Sequence, residues 1–202
     1  VAVALLIVGP ILLSPFVVGP LPLDNYVSLA GAVLAVPAIL ARRHIGSSPA
    51  RRLALVPLGT ALAIGLSSIS NGINSSYALV RYGSVAALAA LVAHPDSAKR
   101  GLVVLRVSCV VGAASIIVNK YLHVFPSYQD EQSGVWRSGG LMGHPNFAAY
   151  VLSMVVLYLT VARRLRFRTV CEASLLVIGI LMTGSLGAVL TLGAVWALSL
   201  TL

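Results

Sequence analysis

Apolar residues run along this chain in long blocks, and polar residues gather in short clusters between them. Eight blocks stand out: Val1–Val18, Tyr26–Ala41, Leu53–Ile69, Tyr77–Ala93, Gly101–Val118, Phe147–Ala162, Val170–Met182 and Gly187–Leu202. Their uncharged stretches reach 16–18 residues, near the roughly 17–25 that a membrane helix requires. The last two blocks read together would make a helix roughly 50 Å long, at 1.5 Å per residue. That exceeds the hydrocarbon core, and "TGSLG" at Thr183–Gly187 supplies the break. The pattern predicts an all-α integral membrane protein, a bundle of about eight transmembrane helices with one longer outward loop. Residues 1–202 read as a single membrane domain. The beginning at Val1 and the abrupt apolar end at Leu202 suggest a piece of a longer polytopic protein.

Composition supports the membrane reading. Hydrophobic residues make up 58% of the chain, charged residues 9%, and mean hydropathy is +0.97. A soluble domain carries about a quarter charged residues. A soluble helical bundle would also need a charged stripe along each helix, and none is visible. Val1–Val18 lacks the basic start and small-residue cleavage site of a signal peptide.

The net charge of +9 would suggest nucleic acid in a soluble protein. Its distribution points elsewhere. Loops two, four and six hold Arg42, Arg43, Arg51, Arg52, Lys99, Arg100, Arg163, Arg164, Arg166 and Arg168. Loops one, three, five and seven hold only Lys120 and Arg137. The positive-inside rule then puts the even loops and the N-terminus in the cytoplasm. Topology accounts for the basic clusters, so no nucleic-acid partner is expected. Cys109 and Cys171 are isolated in apolar surroundings, and no metal-ligand spacing is present.

Loop five is the long one, 28 residues from Asn119 to Asn146. Long loops in compact proteins are usually functional or disordered. Its aromatic residues suit an outer interfacial segment. It ends in "VWRSGGLMGHPNFAAYV", Val135–Val151. Here Asn146 is a candidate N-cap for the apolar run that follows, and Pro145 favours an extended His144. Gly139, Gly140 and Gly143 permit positive φ or close approach to a ligand. These residues suit a sharp turn into a capped helix. With Arg137 beside a helix N-terminus, they also suit an anion site at the outer interface.

Arg81 stands about one turn into the fourth block. It either snorkels outward or points into a polar cavity on the side of Arg137. Arg106 reads as a cytoplasmic anchor, and Glu172 as a partner for an arginine of loop six. His144 is a turn residue more than a base. Asp130 and Glu131 read as solvated loop charges, too close in sequence to flank a scissile bond as a carboxylate pair.

The segment "RSGGLMGHPNFAA", Arg137–Ala149, resembles a motif of the O-antigen ligase and polymerase family. That motif is an arginine, a glycine two or three positions on, then Pro-Asn and a small or apolar helix start. The short "T-G-S" break after the next span, Thr183–Ser185, is similar too. The family's pattern often carries an arginine after this T-G-S start, where this chain has Leu186. The resemblance implies a bacterial plasma-membrane glycosyltransferase. Such an enzyme moves a glycan from an undecaprenyl-diphosphate carrier to a lipid, a protein or a second carrier-linked glycan, with no cofactor and no metal. It implies Arg137 as the catalytic arginine that holds the diphosphate, with Pro145 and Asn146 matching the Pro-Asn pair. His144 falls where the family varies, and the residue reading itself gives Arg81, Gly140, Gly143, His144 and Asn146 as substrate-binding candidates. The family's second outward loop would lie beyond Leu202, so the fragment alone is not expected to be active. The competing reading is a transporter of a small anion or glycolipid. Transporters often carry internal repeats, and none is evident here.

Overall fold

The structure is a computed structural model that describes residues 1–19, 21–40, 63, 76–92, 94–129, 134, 136–161 and 166–201. Among them the elements are α1 (Ala2–Leu12), strands β1 (Val17–Val18) and β2 (Leu21–Pro22), α2 (Leu23–Leu40) and α3 (Ser76–Val92). Then come α4 (Pro95–Leu122), strands β3 (Ser127–Gln129) and β4 (Trp136–Ser138), and a 3-10 turn at Gly140–Met142. The chain closes with α5 (Pro145–Val161), α6 (Phe167–Met182) and α7 (Leu186–Thr201). The span expected at Leu53–Ile69 and the basic loop at Arg42–Arg52 lie outside the described residues.

The chain forms two compact units, Val1–Pro10 with Phe16–Val104, and Ile11–Pro15 with Leu105–Leu202. In the first, α2 packs along α3. Leu6, Ala35 and Leu91 form its buried core, joined by Ala32, Ala87 and Leu88. Gly31 lets α1 come close: a Cβ there would stand 2.9 Å from Leu6.

In the second unit α5 is the central helix and packs against both α6 and α7. Ala148, Ala149, Leu152, Val155, Val156 and Leu159 are buried. Their spacing is one helical face. The opposite face is also apolar, with Phe147, Tyr150 and Met154 exposed, Met154 by 74%. On α4 the buried face carries Ser108, Cys109, Gly112, Ala113, Ser115 and Ile116, while Val107, Val111 and Val118 are exposed. On α4 the buried face is thus mostly small or polar while valines face away, whereas α5 buries large aliphatic residues and exposes Phe147, Tyr150 and Met154. Gly179 of α6 allows the closest contact, where a Cβ would come within 2.9 Å of Ala113 and 3.2 Å of Leu152.

The structure corrects the expected bundle of about eight transmembrane helices. Among the described residues only α4, with 28 residues, is both long and apolar enough to cross a membrane. The reason lies in where helices stop. The run Val1–Val18 yields a helix of 11 residues, because the chain turns after Leu12 into β1. The α6 helix has 16 residues, about 24 Å at 1.5 Å per residue, against a hydrocarbon core of about 30 Å. The α4 helix is long because it extends the apolar run into polar flanks, Pro95–Arg100 and Asn119–Leu122. The break expected at Thr183–Gly187 is present, and the two helices it separates both rest on α5.

Candidate functional site

The polar segment between α4 and α5 is built on one buried asparagine. Asn119, in the last turn of α4, is fully buried. Its Nδ2 donates to the Phe125 carbonyl at 3.1 Å and to Ser138 Oγ at 2.5 Å, and its Oδ1 accepts from Phe125 N at 2.6 Å. Both ends of the β3–β4 hairpin are thereby fastened to the helix. In the antiparallel register Ser127 faces Ser138, Tyr128 faces Arg137 and Gln129 faces Trp136. Along β4 Trp136 is exposed, Arg137 is half-buried and Ser138 is buried where Asn119 holds it.

Ser115, one turn earlier on α4, holds the next segment. Its Oγ donates to the Gly112 carbonyl at 2.7 Å and accepts from Leu141 N at 2.9 Å. Met142 is fully buried against Gly112. Gly140 and Gly143 have φ of 55° and 72°, a region that only glycine adopts without strain. Both are buried. A Cβ would stand 2.5 Å from Ser115 Oγ at Gly140 and 2.6 Å from Ser14 Oγ at Gly143. Their amides are engaged too, Gly140 N with Ser138 Oγ at 3.0 Å and Gly143 N with the Gly140 carbonyl at 3.2 Å. These two glycines adopt the positive φ that the sequence allows for and pack against protein.

The start of α5 also differs from the expectation. Pro145 is the first helical residue, a position where its missing N–H costs nothing. The cap is His144: its carbonyl accepts from Ala148 N at 3.0 Å, and its Nδ1 accepts from Asn146 N at 3.3 Å. The His144 ring also lies 5.4 Å from the Tyr128 ring. Asn146 is therefore inside the first turn, and its side chain is released for another task. Its Oδ1 accepts from Arg137 Nη2 at 2.7 Å.

Arg137 is the meeting point. Besides Asn146, it donates from Nε to the Thr183 carbonyl at 3.1 Å. Thr183 ends α6, its Oγ1 donating to Ile180 O at 2.6 Å and accepting from Ser185 N at 3.2 Å. A cation is favoured at this end of a helix, where the carbonyls carry partial negative charge. Gly184 lies alongside, with room for a Cβ only 3.4 Å from Arg137 Nε. One guanidinium thus joins β4, the start of α5 and the end of α6.

Of the other candidates, Arg81 lies on α3, but its side chain is outside the described residues, as are Asp130 and Glu131. Arg106 and Glu172 pair with each other. Arg106 Nε donates to Glu172 Oε1 at 2.9 Å and Nη2 to Oε2, a two-point ion pair between α4 and α6 with side chains 16% and 12% exposed. This corrects the separate roles expected for them, an anchor and a loop-six partner. Sequence reading missed Asn119, Ser115, Ser138 and Thr183. For Asn119 and Thr183 the available signal was a polar residue closing a long apolar run, which reads equally well as the start of a loop; Ser115 and Ser138 carry no such signal.

Comparison of the chain with protein-family models, with curated proteins and with solved structures gives no match.

Proposed function

We propose that this chain is the membrane-bound part of a bacterial cell-envelope glycan ligase or polymerase, which moves a glycan from an undecaprenyl-diphosphate carrier to an acceptor on the outer face of the plasma membrane. One observation carries the reading. Arg137, the Pro145–Asn146 pair and the Thr183–Ser185 turn are the segments on which the family resemblance rests. They are 46 residues apart at the extremes of the Arg137–Thr183 bond, and they converge on one guanidinium. The exposed aliphatic faces of α4 and α5 support a bilayer as the surroundings.

Arg137 binds the diphosphate of the donor. As the sugar–oxygen bond of the donor breaks, negative charge grows on the leaving diphosphate. A planar cation fixed beforehand stabilises that charge without reorganising. Asn146 and Thr183 orient the guanidinium, and His144 holds the helix start beneath it.

The test is glycan transfer from a lipid-diphosphate donor by the full-length protein in liposomes. Arg137→Ala is expected to abolish transfer while the protein still inserts. Arg137→Lys is expected to rescue poorly, since an ammonium cannot keep the planar fork of bonds to Thr183 and Asn146. Full transfer by Arg137→Ala would refute the proposal.

A further inference from the structure

Exposed residues of the second unit change in kind along α4. Val107, Val111 and Val118 are exposed by 59%, 42% and 44%, with Leu122 following at 68%. At 3.6 residues per turn these four lie within about 60° of arc, a single stripe with no polar member. At its end the character changes. Lys120 and Tyr121 are exposed on the last turn, Tyr121 by 71%, and Trp136 and Tyr128 are exposed on the hairpin that Asn119 fastens to that turn.

Aliphatic residues over about 16 Å of helix from Val107 to Val118, then aromatics and a lysine, is the order met on passing from hydrocarbon to headgroups. A protein partner would not require that gradient. Lys120 has a stem long enough to reach phosphates from the boundary. The hairpin strands are three residues each, too short to enter the core as a closed sheet, yet suited to lie on its surface.

We propose that strands β3 and β4 and the last turn of α4 rest in the headgroup layer of a bilayer, with Trp136, Tyr121 and Tyr128 at the water–lipid boundary. This rests on the membrane setting proposed above and adds a depth. Arg137, next to Trp136 in the strand, then stands at the level of lipid phosphates, where a lipid-linked diphosphate travels.

The chain has two tryptophans, Trp136 and Trp196. In Trp196→Phe, Trp136 alone reports its depth. The full chain is reconstituted in phosphatidylcholine–phosphatidylglycerol vesicles containing lipids brominated near the top or near the end of the acyl chain. About twofold stronger quenching by the shallow bromines than by the deep ones is expected. Should Trp196→Phe fail to fold, wild type minus Trp136→Phe isolates the same signal. Quenching by aqueous iodide alone, or strongest quenching by the deep bromines, would overturn the depth. If the protein floats with vesicles and Trp136 still reports water, the hairpin inference falls and the membrane setting stands. If the protein does not float with vesicles, both fall.

Discussion

Arg106 and Arg137 both belong to the second unit, and each makes two described bonds through Nε and Nη2. Arg106 gives both to one carboxylate, Glu172, between the bodies of α4 and α6. Arg137 gives one to a main-chain carbonyl and one to a side-chain amide, where a strand, a helix start and a helix end meet. The first arrangement cancels two charges within a helix contact. The second orients a cation among chain ends whose positions depend on one another. Arg106 thus neutralises one carboxylate between two helix bodies 66 residues apart, and Arg137 joins a helix start and a helix end through neutral acceptors.

That contrast can be broken or sharpened by unfolding measurements in detergent. Glu172→Ala should cost most, about 3 kcal/mol, because it leaves Arg106 without its carboxylate in a mostly buried position. Arg106→Leu with Glu172→Leu should recover most of that loss, since apolar replacement of a whole buried pair is often neutral. A double variant as unstable as the single one would show that the pair does more than cancel charge. Asn119→Ala should cost about 2 kcal/mol, from the hydrogen bonds lost to Phe125 and Ser138. It should also weaken Arg137 function, because the hairpin loses its fastening. Unchanged stability would mean that the hairpin is held by other contacts.

Smaller effects separate the two ends of the α5 start. His144→Ala should cost about 1 kcal/mol as a lost cap, with most glycan transfer retained. Asn146→Ala should cost about 0.5–1 kcal/mol as one lost hydrogen bond, yet reduce transfer more than His144→Ala does. The reverse ranking in a transfer assay would make His144 the more important neighbour of Arg137.

Much of the helical layout was legible along the chain. The runs near Tyr26, Tyr77, Gly101, Phe147, Val170 and Gly187 each correspond to a helix, because long apolar runs without glycine or proline clusters favour that period. Helix lengths were not legible. A run of apolar residues shows where a helix can lie, while its ends depend on which polar groups find partners. Asn119 reads as the end of a run but sits inside α4, because its amide bonds hold the hairpin against the last turn.

Composition and periodicity by themselves determined that the chain is helical and apolar on most faces, and that Arg137 stands in a turn-rich segment before a helix. These are local properties, set by side-chain character and by the backbone limits of Gly and Pro. Only the tertiary structure decided what the polar residues do. It made His144 the cap in place of Asn146, turned Gly140 and Gly143 toward protein, paired Arg106 with Glu172, and brought Thr183 to Arg137 across 46 residues. A hydrogen bond depends on distance and angle, and residues far apart in sequence acquire those only when the helices that carry them have packed.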